Sequence, residues 1–252
     1  MSAYSVAYAA FLSKIKIAHV EAGLRTGDLT SPYPEEYFRR SISLMASLHF
    51  APDEYSRDNL LSESVPSESI FVTGNTVIDA VRRFAKPESH KSSNVIFTLH
   101  RRESRGAYSR ILSSVADLAL EYKELTFIAV MHPSSEVRML FKRHLCGIDN
   151  IILTEPLSLP DFYGILASAC LVLTDSGGVS EEAAILGIPT IVLRDKTERE
   201  REVCEGRIIL AGADGVSLSS IASKALKIKT ERPRLEPRPS ERIRDIILDF
   251  IK

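Results

Sequence analysis

The sequence predicts an α/β fold of parallel sheets, with one complete doubly wound domain preceded by an incomplete one. Three observations predict it. Short apolar, often β-branched runs alternate with amphipathic helical stretches along the chain, which is the pattern of strands joined by helices. Most of these runs are apolar throughout, as expected of strands buried on both faces. One wholly polar stretch, 86–93 (KPESHKSS), separates three such runs from six.

The elements follow in order. Met1 to Leu12 is apolar, but its lysines, Lys14 and Lys16, come after the apolar part. A secretion signal carries its charge before that part, so this segment reads as a helix of the fold. Strand-like runs follow at Ile15–Val20, Leu48–Ala51 and Ile70–Thr73, giving a thin domain over 1–85. Beyond the linker at 86–93, six runs begin at Val95, Thr126, Asn150, Leu171, Thr190 and Ile208. Helical stretches such as 110–122 and 135–144 lie between them, so 94–239 reads as a whole doubly wound domain. The last segment, 240–252, reads as a helix with Ile243, Ile246, Ile247, Phe250 and Ile251 as its apolar positions.

Composition sets the class. The chain has 252 residues, 44% hydrophobic and 26% charged, with 32 Lys+Arg against 33 Asp+Glu and a formal net charge of −1. Those values exclude a collagen, a low-complexity disordered chain and a disulfide-stapled miniprotein. Near-zero charge gives no reason to expect nucleic acid or an anionic membrane as partner. Cys146, Cys170 and Cys204 share no CxxC spacing, which argues against a disulfide framework and a structural zinc site. A reducing compartment is the simplest setting, and no apolar run is long enough to cross a bilayer.

The strongest ligand signal is Thr174 to Ala183 (TDSGGVSEEA), which follows an apolar run and opens a helix. Gly177 and Gly178 let the backbone approach a ligand closely, and the helix start offers unpaired N–H groups and a positive dipole. Ser176 can donate a hydroxyl hydrogen bond to a diphosphate, and Glu182, one turn in, can accept two ribose hydroxyls. The same string also describes a well-capped helix with acidic residues near its start. Other polar groups cluster just past strand ends, where open α/β sheets bind ligands. Glu21 lies in HVEAGLRTGD, and Pro34-Glu35-Glu36 opens a helix whose dipole the two acids would complement in any case. His100-Arg101 closes one run, with either a phosphate clamp or a solvated basic turn as its reading. His132-Pro133 closes the next run and offers a proton shuttle or a phosphate partner. Phe162 can stack on a base or simply belong to the core. The run at Thr190–Leu193 is followed by RDKTER, whose Thr and Arg residues can meet ribose or phosphate. These loops are expected to converge on one nucleotide-type ligand in a cleft between two α/β domains.

Taken together, the strings HVEAGLRTGD, SPYPEE, TGNTVIDAV, HRRES, MHP, LTDSGGVSEEA, LGIP and LRDKTERE resemble the non-hydrolysing UDP-N-acetylglucosamine 2-epimerases, in the family's order. The resemblance implies two Rossmann-like domains arranged as in GT-B glycosyltransferases, a UDP-sugar as substrate, no metal, no cofactor, a homodimer and a cytoplasmic location. It puts Glu21, Glu35 and His132 at catalytic positions and leaves the role of Arg25 open. Leu157 and Phe162 match uracil contacts; Ser176, Gly177, Gly178 and Glu182 match diphosphate and ribose contacts; Arg199 matches a further UDP contact. His100 and Arg101 match a motif that holds a second, activating UDP-sugar in regulated members. The implied reaction is epimerisation at C2 by elimination and re-addition of UDP, giving UDP-N-acetylmannosamine. Competing readings are a GT-B glycosyltransferase, a hydrolysing epimerase and a catalytically impaired nucleotide-sugar-binding fragment.

Three departures qualify the match. The chain starts in mid-domain, lacking about three βα units at roughly 30 residues each. Glu200 stands where the family often has Pro, and 233–240 replaces a common glycine-containing string. A half-domain without its early strands is expected to expose a sheet edge and apolar helix faces, to bind UDP-sugar weakly and to catalyse poorly.

Overall fold

The computed structural model describes residues 2–30, 33–85, 93–101, 104–194, 208–212, 218–228 and 238–252. Its elements fall into two compact units, Met1–Ala80 with Leu235–Lys252, and Val81–Arg234. The linker stretch lies almost wholly outside the described residues. The boundary between units falls before it, inside a helix.

In the first unit, helix α1 (Ser2–Leu12) leads to strand β1 (Ala18–Val20), then α2 (Glu35–Met45), β2 (Leu48–Ala51), α3 (Glu54–Ser62) and β3 (Ile70–Val72). All three strands pair in parallel in the order β1-β2-β3, with His19 opposite His49 and Phe50 opposite Phe71. The first strand is shorter than the run Ile15–Val20 suggested, because Ile15 is exposed and Lys14 turns the chain at φ 58°. Asp53 caps α3 by accepting the N–H of Ser56 at 2.7 Å. Ala22, Ala51, Leu60 and Ile70 form one small core.

Helix α4 (Val77–Phe84) carries the chain into the second unit. There follow β4 (Asn94–Thr98), α5 (Tyr108–Glu121), β5 (Thr126–Val130), α6 (Ser135–Leu145), β6 (Ile151–Thr154), α7 (Leu159–Ser168), β7 (Leu171–Thr174), α8 (Gly177–Ile185), β8 (Thr190–Val192), β9 (Ile208–Leu210) and α9 (Leu218–Ala225). Its six parallel strands run β6-β5-β4-β7-β8-β9. Relative to the first strand of the unit this is the order 3-2-1-4-5-6 of a Rossmann fold, and it reverses between β4 and β7. Val95, Phe97, Leu173 and Ile191 from three of these strands pack with Ile111, Leu112 and Val115 of α5 and Phe141 of α6. Phe97 and Phe141 stack with ring centroids 5.4 Å apart.

The last helix, α10 (Pro239–Phe250), was expected as a separate C-terminal element but belongs to the first unit. Its apolar face supplies Ile243, which packs with Leu48 and Phe50 of β2, and Ile246 and Ile247 lie against the same cluster. Ser240 N–H is fixed to Asp79 at 2.8 Å.

One side of the first unit is open. Of α1 only Ala7 is buried; Val6 is 70% and Leu12 65% exposed, and Ala18 and Val20 of β1 are exposed too. The exposed sheet edge and apolar helix expected from the sequence are therefore present.

Candidate functional site

In the first unit, Glu21 follows β1 directly and takes a left-handed backbone at φ 58°. A bulky residue adopts that conformation only where its surroundings impose it, and such strain concentrates at functional loops. The next residues impose it here. Ala22 is fully buried, and its N–H donates to Phe50 O at 3.0 Å. Gly23, at φ 87°, lies so close to α3 that an added Cβ would sit 2.0 Å from the Ser56 carbonyl oxygen, so no other residue fits. Asn59 Nδ2 grips the Gly23 carbonyl at 3.0 Å.

The role of Arg25, open in the sequence, is architectural. Its guanidinium makes a fork to Glu63 at 2.8 and 2.7 Å and also donates to Leu24 O and Ser43 Oγ. The Arg25 hydrogen bond holds the Glu63 carboxyl below its ordinary range. The two acids of α2 divide their labour. Glu36 is fully buried, accepting Thr26 N–H at 3.2 Å and Arg40 Nε at 3.1 Å. Glu35 is half-buried and, like exposed Glu21, takes no hydrogen bond among the described residues. Pro34 stands one residue before the helix rather than at its first position. Two carboxylates thus remain available in this unit, Glu21 and Glu35, on a loop and a helix tied together through Glu36.

In the second unit the candidate residues meet at the switch point. Thr98 and Thr174, opposite each other at the ends of β4 and β7, share a 2.9 Å hydrogen bond between hydroxyls. Next comes Asp175, fully buried, whose carboxylate accepts the N–H of His100 at 2.7 Å and that of Arg101 at 3.0 Å. Tyr108 O–H lies 3.1 Å from the same carboxylate and 2.7 Å from the Arg101 carbonyl. A buried carboxylate is stable only when paired in this way. Asp175 therefore fixes the turn after β4 to the turn after β7.

Ser176 caps α8, its hydroxyl oxygen accepting the Val179 N–H at 3.5 Å, while its own hydrogen stays free to donate outward. Ser180 N–H goes to Ser176 O. That leaves the N–H groups of Gly177 and Gly178 without a partner among the described residues, at the positive end of the helix. An added Cβ on Gly178 would meet only Ser176 Oγ, at 3.9 Å, so the protein does not itself require glycine there.

His132 follows β5 and sits beside His100, ring centroids 5.7 Å apart. Ser134 N–H donates to His132 Nδ1 at 2.9 Å. The neutral imidazole then carries its proton on Nε2 and presents a donor, which suits an anion better than it suits proton abstraction. Desolvation first, and then the neighbouring His132, lower the pKa of His100, against the opposing charge of Asp175. Leu157 and Phe162, both half-buried, lie before and within α7. Arg199 lies outside the described residues. Among those described, no group of three or more His, Cys, Asp or Glu residues is arranged to hold a metal ion.

Glu182 is half-buried on α8, and Tyr163 O–H donates to its Oε1 at 3.0 Å. Burial raises the Glu182 pKa, and the tyrosine bond opposes the rise. Sequence reasoning missed the parts played by Asp175, Tyr163 and Glu36. Only Asp175 carried a local signal, as an acid wedged between a strand end and a helix cap.

The family profile described as UDP-N-acetylglucosamine 2-epimerase matches residues 1–248. A UDP-N-acetylglucosamine 2-epimerase of Yersinia pestis is 43% identical over 229 residues, covering 83% of this chain and 61% of that protein. The chain thus spans about three-fifths of its relative's length. Among solved structures, UDP-GlcNAc 2-epimerase from Neisseria meningitidis bound to UDP-GlcNAc superposes with a TM-score of 0.88 at 34% identity, covering 98% of this chain and 73% of that one. The S. aureus MnaA–UDP co-structure gives a TM-score of 0.91 at 35% identity, covering 98% and 73%.

Proposed function

Since the chain belongs to the UDP-N-acetylglucosamine 2-epimerase family, we propose that it binds UDP-N-acetylglucosamine and inverts C2 to give UDP-N-acetylmannosamine. The observation that carries this reading is the start of α8. Two free amides, the Ser176 hydroxyl and a helix dipole meet at the sheet's switch point, a site built for a diphosphate. Glu182, further along the same helix, serves the ribose, and Leu157 and Phe162 serve the uracil. Arg199 supplies a further UDP contact.

The chemistry follows from the substrate. The C2 proton beside an acetamido group is not acidic, so direct abstraction is difficult. Departure of UDP from C1 as a carboxylate removes that proton yields 2-acetamidoglucal. Negative charge develops on the leaving diphosphate, where the Gly177 and Gly178 amides, Ser176 and the Nε2–H of His132 stabilise it. Re-addition of UDP with protonation from the other face gives the manno product. Glu21 and Glu35 are the two carboxylates, one for each face. His100 and Arg101 belong to a second, activating UDP-sugar site on this reading. The same reading extends to a homodimer and a cytoplasmic setting, which sedimentation and fractionation test.

The decisive experiment adds UDP-N-acetylglucosamine to the purified chain in deuterated water and follows C2 by NMR. Deuterium entry at C2 with appearance of the manno epimer supports the full reaction. Tight UDP binding without exchange reduces the proposal to its nucleotide-binding part. Absence of UDP binding overturns it.

A further inference from the structure

Tyr163 is buried on α7, 1% exposed, with its ring held from two sides. Phe84 stacks on it at 6.1 Å between centroids, and Phe162 meets it edge-on at 6.3 Å. A ring so held cannot swing, and its one polar atom is spent on Glu182 Oε1 at 3.0 Å. Glu182 Oε2 takes no hydrogen bond among the described residues. From this geometry we propose that Tyr163 is a positioning residue for nucleotide binding: its hydroxyl fixes the Glu182 carboxylate in place and in its charged form, ready for the ribose hydroxyls. The inference rests on the reading of Glu182 as the ribose acceptor.

The need for such a partner follows from the chemistry. A carboxylate accepts hydrogen bonds from two vicinal hydroxyls; a protonated carboxyl offers a donor where an acceptor is wanted. Burial works toward the protonated form of Glu182, and the Tyr163 bond works against it. Tyr163 can hold the post because its own proton is secured, first by burial and then by the charges of Glu182 and Glu181. Its hydroxyl therefore donates throughout the neutral range. Glu181, next door on α8, is buried and is the other acid acting on this pair.

The test is Tyr163→Phe, which keeps the ring and its stacking and removes only the hydroxyl. UDP and 2′,3′-dideoxy-UDP are titrated calorimetrically between pH 5 and 8, with melting curves to confirm the fold. In the unaltered chain, UDP affinity is expected to weaken toward acid pH as Glu182 takes up a proton. The variant is expected to bind UDP roughly 3- to 10-fold more weakly at neutral pH, with its acid-side loss displaced to higher pH. Toward the dideoxy nucleotide the two proteins are expected to behave alike. As a second measurement, the carboxyl carbon-13 titration of Glu182 in the ligand-free protein should move to higher pH in the variant. If the unaltered chain prefers UDP to the dideoxy nucleotide but Tyr163→Phe matches it in affinity and pH profile, the role of Tyr163 is overturned and the ribose reading stands. If the unaltered chain does not distinguish the two nucleotides, the ribose reading fails and takes this inference with it.

Discussion

Asp175 Oδ1 accepts the backbone N–H of His100 at 2.7 Å, joining residues 75 apart in the chain where the order of the larger sheet reverses. Both turns at this point therefore move together or not at all. Replacing Asp175 with Ala takes the acceptor from the His100 and Arg101 amides, while the Tyr108 hydroxyl keeps the Arg101 carbonyl. The expected destabilisation is about 2–4 kcal/mol, read by chemical denaturation. Nucleotide affinity should fall with it, and Asp175→Asn, keeping one acceptor oxygen, should lie between.

Gly23→Ala should be among the most damaging substitutions in the first unit. The new methyl group meets the Ser56 carbonyl at 2.0 Å, and φ 87° is strained for any side chain. Overpacking and backbone strain together are expected to cost ~3 kcal/mol or more. Because Gly23 anchors the loop that begins at Glu21, proteolysis between β1 and α2 should accelerate in the variant.

Acid should weaken the first unit through His19. Burial, followed by the charges of His49, Arg25 and Arg39, pulls its pKa from 6.5 to about 4. A native value below the unfolded one means that the folded chain binds fewer protons between these limits. The stabilisation is complete above pH 6.5, declines as pH falls, and is gone below about 4. Its size is at most roughly 3 kcal/mol. Urea unfolding at pH 4.5, 5.5 and 7 should show this slope, and His19→Gln should flatten it.

Glu21→Gln and Glu35→Gln should each suppress deuterium entry at C2 by about 10²- to 10⁴-fold. UDP affinity should be unaffected, since neither side chain is assigned to the nucleotide. A comparable loss of UDP binding in either variant would mean that the residue acts on the ligand's charge rather than on C2. The exchange rate and a calorimetric titration, measured on the same sample, separate the two outcomes.

Much of this layout was readable from residue types. Apolar runs announced the nine strands of the described residues, and polar residues just past Val20, Leu99, Met131 and Thr174 marked the loops of the candidate site. Periodicity could not reveal which strands are neighbours. The order β6-β5-β4-β7 depends on crossovers, so the meeting of His100 with His132 and of Arg101 with Asp175 was not visible. Nor did spacing tell Glu35 from Glu36. Both complement the α2 dipole, and only the rotation of the helix decides that Glu36 is buried on Thr26 while Glu35 stays available. Arg25 shares a motif with Glu21, and residue type alone left its role open; its fork is occupied by Glu63, 38 residues away. The final helix gave an amphipathic face but no address; its partner, Phe50, is nearly two hundred residues upstream.

That distant partnership bears on how the molecule is made. The second unit is one unbroken segment, Val81–Arg234, and every strand and helix of it leaves the ribosome before Ile243 does. The first unit must wait without the Ile243 contact to Leu48 and Phe50 until the whole of the second unit has been made, so a cluster begun before that unit is closed only after it.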